Sequence, residues 1–132
     1  MKPGLKEGAA ATIQLKVCRE MFAQFGGEIV HPLFSTASMV YYMEWASRKV
    51  ILPFLEESEE GMGYAVTVKH LAPAAEGSIL NVTAEVVRLE RNLIFTLVKA
   101  FHGDTVIGKG QVTQAILPRS KIKRFTEKIR LD

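Results

Sequence analysis

The sequence predicts an α+β fold in which one curved antiparallel sheet wraps around a central helix. Three observations carry that expectation. A long apolar segment with helical character ends at a proline in the first half of the chain. Four long alternating segments follow it, and short turn dipeptides separate the last three of these. At 132 residues the chain suits a single domain, residues 1–132, and is long enough to bury a real core. Apolar residues make up 48% of it, as in a compact globular protein rather than a disordered chain.

The elements follow in order. Ile13, Leu15 and Val17 alternate with Gln14 and Lys16, which predicts a half-buried strand over residues 12–18. Residues 22–32 have no clear period and are expected to be irregular, with Gly26-Gly27 as a flexible point. A helix opens at Ser35 or Thr36, either of which can cap it. It runs to about Leu52, because Pro53 disfavours continuation. Its middle, residues 37–46, is apolar over more than one face, which predicts deep burial. Residues 56–63 read as an acidic, glycine-bearing loop. Strands are expected over residues 64–71, 78–90, 93–102 and 105–117, with turns at Arg91-Asn92 and Gly103-Asp104. Leu80, Val82, Ala84 and Val86 share a face, but Val87 and Leu89 take the other phase, so a bulge or bend is expected near Val86-Val87. In the tail, Ile122, Phe125 and Ile129 recur at helical spacing among Arg119, Lys121, Lys123, Arg124, Lys128 and Arg130. That pattern predicts a helix packed on one side and solvated on the other.

Long strands bending around a helix would bury all of its faces, as in the hotdog arrangement. So small a sheet leaves edges and one helix end uncovered, and pairing of two copies is the usual remedy, so a homodimer or a dimer of dimers is expected.

Composition narrows the functional classes. The net charge of +3 is concentrated in the tail, where it reads as a solvated helix face or as groups for a phosphate-bearing small molecule. No aromatic platform or binding motif supports nucleic acid as a partner. No apolar window is long enough to span a membrane, and the first residues lack the apolar middle of a secretory signal; a cytoplasmic location follows as the default. Cys18 is the only cysteine, which rules out an internal disulfide; it reads as a small buried hydrophobe. His31, His70 and His102 are scattered, so neither a metal nor another cofactor is expected.

Two residues break the apolar pattern. Glu44 lies in the apolar helix, where a carboxylate is costly to bury unless paired or neutral; Arg48, one turn on, is an available partner. His70 shares a strand face with Tyr64, Val66 and Val68, while Lys69 marks the other face as solvated, so His70 is expected to point toward the helix. A hydrogen-bonded core histidine is the plain alternative. Both groups are expected at one helix–sheet interface, where carboxylate and imidazole would form an acid–base unit. Thr36 alone needs no reading beyond a helix cap.

The runs at residues 35–46, with its Met43-Glu44-Trp45-Ala46 step, and 66–74, with His70, resemble the fluoroacetyl-CoA thioesterase-like branch of the hotdog thioesterases. That resemblance implies hydrolysis of a small acyl-CoA thioester, with Thr36, Glu44 and His70 as catalytic residues and the Gly63 N–H binding the thioester carbonyl. Residues 25–32 lack the lid aromatics of the fluoroacetyl-specialised member at matching offsets; Phe22 and Phe25 lie further upstream. Two other readings use the same residues. One is a hotdog acyl-thioester dehydratase or hydratase pairing His31 with Glu44, and the other is a non-catalytic acyl-CoA-binding module. If Thr36 and Glu44 share one regular helix, eight residues separate them by about 12 Å of rise. A folded-back loop, the substrate or a partner subunit must then bridge them.

Overall fold

The computed structural model describes residues 1–131, with side chains through Lys128. Strand β1 (Ala10–Lys16) leads through a short 3-10 turn to β2 (Phe22–Phe25) and β3 (Glu28–Phe34). Helix α1 (Thr36–Ile51) follows, then β4 (Glu59–His70), β5 (Ile79–Glu90), β6 (Leu93–His102), β7 (Thr105–Pro118) and helix α2 (Arg119–Leu131). Five strands form one antiparallel sheet in the order β1-β5-β6-β7-β4, and β2 and β3 form a separate hairpin. The sheet wraps α1, which packs against β1, β4, β5, β6 and β7, so the hotdog arrangement is the observed fold.

Ser35 caps α1: its side chain accepts a hydrogen bond from the Ser38 N–H at 3.0 Å. Met39, Met43, Ala46, Ser47, Val50 and Ile51 make the buried stripe of α1. They meet Leu80, Val82, Ala84 and Val86 of β5, Ile94 and Val98 of β6, and Ile107 and Val112 of β7 in one core. Each such aliphatic side chain contributes about 1.5–3 kcal/mol on full burial. The register of β5 against β6 shifts between Val86 and Arg88, which is the bulge expected from the change of phase.

One polar layer crosses this core. The Ser47 hydroxyl lies 2.8 Å from the Met43 carbonyl and 2.7 Å from the Thr96 hydroxyl, which lies 3.1 Å from the Val112 carbonyl. Two hydroxyl protons serve these three contacts. Gln114 Nε2 donates to the Ser47 carbonyl at 3.0 Å.

Several expectations are corrected. Helix α1 is not buried on all faces: Tyr41, Glu44 and Trp45 are exposed on its outer side. Residues 22–32 are not irregular but fall within a hairpin. Gly26 and Gly27, at φ +60° and +85°, make its turn, and register shifts on either side of Ala23 break the alternation that would have marked β2. Strand β4 starts at Glu59 rather than at residue 64, because residues 59–63 pair with the end of β7, and its acidic opening also finds cationic partners. Glu59 binds the N-terminal amine at 2.8 Å, and Glu60 binds Arg48 at 2.6 Å and Arg119 at 3.2 Å. Cys18 follows the end of β1 and is half-buried, not a strand hydrophobe. In α2, Ile122 is half-buried and Phe125 exposed; the expectation for the side chains of Ile129 and Arg130 lies outside the described residues.

Candidate active site

The sequence leaves open whether Ser35 or Thr36 caps α1. Ser35 takes the cap, and that frees the Thr36 hydroxyl. Thr36 Oγ1 lies 2.8 Å from His70 Nδ1, a hydroxyl–imidazole hydrogen bond between the first residue of α1 and the last of β4. The His70 ring stands edge-on to Phe34, with centroids 6.4 Å apart. Burial pushes the His70 pKa below the usual histidine value; the Ala72 backbone opposes that shift and the nearby charge of His31 adds to it. The imidazole is therefore neutral at neutral pH and able to accept the Thr36 proton through Nδ1. Nε2 then carries the ring hydrogen, and it is buried without a hydrogen-bond partner among the described residues. A cavity of about 270 Å³ opens beside this pair, lined by Phe25, Val30, His31 and Phe34 as well as Thr36 and His70.

Glu44 stands elsewhere. It lies on the outer face of α1, and a β-carbon built on Gly63 would sit 3.5 Å from its Oε1, so its carboxylate reaches over Gly63. Arg48 pairs with Glu60 instead, leaving Glu44 without an ion pair or hydrogen bond among the described residues. A second cavity, of about 430 Å³, is lined by Glu44, Gly63, Tyr41, Trp45, Arg48 and Gln114.

The four sequence-predicted residues thus form two pairs, Thr36 with His70 and Glu44 with Gly63, each opening onto its own cavity. The expectation that Glu44 and His70 meet at the helix–sheet interface is corrected: Glu44 faces outward, and the partner of His70 is Thr36. Thr36 and Glu44 do belong to one regular helix, so about 12 Å of axial rise separates them. His31 is exposed and lines the Thr36 cavity, not that of Glu44, so His31 and Glu44 are not paired within one chain. His102 is exposed at the end of β6.

Gln114 was not singled out by the sequence reading. The available signal is that it shares a strand face with Val112 and Ile116, where alternation calls for an apolar residue.

The comparisons with known proteins identify the family. Residues 17–120 match the family described as fluoroacetyl-CoA-specific thioesterases. The fluoroacetyl-CoA thioesterase of Streptantibioticus cattleyicolor is 30% identical over 136 residues, covering 98% of this chain and 96% of its own. A Thermus thermophilus hypothetical protein, described as a thioesterase superfamily member, superposes with a TM-score of 0.93 at 38% identity, covering 97% of this chain and 95% of its own. A threonine-to-serine mutant of fluoroacetyl-CoA thioesterase in complex with acetyl-CoA superposes at a TM-score of 0.86 with 26% identity, over 96% of this chain and 98% of its own. With a threonine–histidine pair at the head of the wrapped helix and a match running through nearly every element, this chain belongs to the fluoroacetyl-CoA-specific thioesterase family.

Proposed function

We propose that this protein is an acyl-CoA thioesterase that hydrolyses a small acyl-CoA thioester to the free acid and coenzyme A. The proposed site pairs Thr36 and His70 of one subunit with Glu44 and Gly63 of the partner subunit in a homodimer. The observation that carries the reading is the 2.8 Å hydrogen bond between Thr36 and a neutral, half-buried His70. A hydroxyl held by an imidazole has its general base already in place. The cavity beside Thr36 is the proposed seat of the acyl group.

Thioester hydrolysis needs a nucleophile, a proton acceptor and a donor for the developing oxyanion. In the proposed mechanism His70 Nδ1 takes the Thr36 proton, the hydroxyl oxygen adds to the thioester carbonyl, and the Gly63 N–H stabilises the oxyanion. The C–S bond then breaks, and the thiolate of coenzyme A leaves with the proton that His70 took from Thr36, which returns the imidazole to its neutral form. Water activated by Glu44 cleaves the Thr36 ester, releasing the acid. If Thr36 only holds the water, Glu44 activates it for direct attack and no ester forms.

The dimer is supported by the single chain's own surface. Strand β4 is a free sheet edge, with Met62, Tyr64 and Val66 exposed, and the outer face of α1 presents Tyr41 and Trp45. Pairing there covers both and brings a second Glu44 toward the first chain's Thr36.

The test is an acyl-CoA panel with free-thiol detection. Wild-type protein is expected to release coenzyme A, and Thr36→Ser to retain substantial activity. Glu44→Gln is expected to lose roughly 10²–10⁴-fold in the chemical step, the usual scale for an acid–base group. Thr36→Ala separates the routes: it is inactive if the hydroxyl attacks and partly active if it only holds water. No turnover of any acyl-CoA by the wild-type protein overturns the reading.

A further inference from the structure

Gln114 is 6% exposed, on the floor of the cavity that Glu44 and Gly63 share. Its orientation is fixed by chemistry. The Ser47 carbonyl can only accept, so the end of the amide 3.0 Å away is the NH₂. Ser47 is itself locked by its contacts with Met43 and Thr96. The carbonyl end, Oε1, is thereby turned toward Gly61, within 3.3 Å of where a β-carbon there would sit. Among the described residues nothing donates to this oxygen. In the ladder Gln114 pairs directly with Gly63, the residue over which the Glu44 carboxylate reaches.

Two acceptors without donors, the Glu44 carboxylate and the Gln114 carbonyl, therefore line one cavity beside Gly63. Hydrolysis by either route above ends with water adding to an acyl carbonyl. A water has two protons to donate; with one given to each acceptor, an oxygen lone pair is left for the carbonyl carbon. We infer that Gln114 is a positioning residue that fixes the attacking water together with Glu44, an assignment that rests on the thioesterase reading. Glu44 takes the proton as the water's O–C bond forms; Gln114 sets the direction and takes none.

The test combines kinetics and crystallography. Gln114→Met keeps size and removes the acceptor. Thr96→Val disturbs the same buried polar layer without touching the cavity. Gln114→Met is expected to lower kcat for hydrolysis roughly 10- to 100-fold, with KM changed less than about twofold if water attacks the thioester directly and falling together with kcat if it attacks the Thr36 ester. Hydroxylamine, a stronger nucleophile that needs less positioning, should lose less than about threefold in the same variant. Thr96→Val should leave the ratio of water to hydroxylamine attack at its wild-type value. A folded Gln114→Met with wild-type hydrolysis overturns the inference, and so do equal losses for the two nucleophiles. Should Gln114→Met fail to fold, a high-resolution crystal structure of the wild-type protein decides. An ordered water about 2.6–3.2 Å from both Glu44 and Gln114 oxygens is expected, and a cavity water bound to Glu44 alone overturns the assignment. A wild-type protein without thioesterase activity overturns the parent reading, and this inference with it.

Discussion

The proton state of His70 depends on its burial. Its imidazole is half-buried, where water solvates a positive charge less well, so the neutral ring is favoured and its pKa falls below 6.5. Two consequences follow with the same sign. Activity through His70 as base is present where the ring is neutral, so kcat/KM is expected to hold as pH falls through 6.5 and to drop only below it. Stability behaves alike. The unfolded chain takes up a proton near 6.5 while the folded chain does not, so stability declines from that pH down to the folded pKa and is flat below it. A pH–rate profile of the wild type checks the first, and His70→Asn should abolish that acid limb. An acid limb centred above 6.5 would contradict the burial argument. Much of this site was legible in the sequence. Thr36, Glu44 and His70 each stood out as a polar residue in an apolar frame or as part of a known motif. Their pairing was not legible, because which residue caps α1, Ser35 or Thr36, decides whether the Thr36 hydroxyl is free, and both residue types are good caps, with serine only somewhat preferred.

At the level of elements, the sequence revealed those with a clean period. Strands β6 and β7 and helix α1 fall close to their expected bounds because their alternation, or the proline after α1, is unambiguous. Strand β5 carried its bulge visibly, since a slip of phase in an apolar strand has few other causes. Two elements were hidden. The β2–β3 hairpin has irregular register on both sides of Ala23, so no run of alternating residues is long enough to register as a strand. The first turn of β4 is Glu59-Glu60-Gly61, which local composition alone assigns to a loop. Its pairing with the end of β7 makes it a strand, and the Met1 amine, Arg48 and Arg119, all distant in sequence, neutralise its two carboxylates. The outer face of α1 misled for a related reason. Tyr41 and Trp45 are apolar although this chain leaves them exposed, so an apolar composition there did not mean burial within one chain.

At the scale of the whole molecule, the separation of Thr36–His70 from Glu44–Gly63 gives the proposed dimer a chemical signature. If each site draws on both subunits and the Thr36 hydroxyl is the attacking group, Thr36→Ala and Glu44→Gln chains are each nearly inactive alone. Mixed and allowed to exchange, half the dimers are heterodimers and each regains one intact site, so about a quarter of wild-type activity should return. No recovery after demonstrated subunit exchange would place the whole site within one chain. The junction of α1, β4 and α2 bears on the same carboxylate. Arg48 lies four residues after Glu44 on α1, the spacing at which a glutamate and an arginine attract each other. Glu60 wins that contest, helped by the Gly61 N–H, which donates to its Oε2 at 2.8 Å, and by Arg119 at the head of α2. Glu60 is in effect a decoy anion that keeps Arg48 off Glu44, the proposed base. Glu60→Gln should release Arg48 to Glu44, lowering the basicity of that carboxylate and slowing turnover with little change in KM, a loss that Glu60→Gln with Arg48→Gln should largely reverse. An enzyme indifferent to Glu60→Gln would mean that Glu44 needs no such protection.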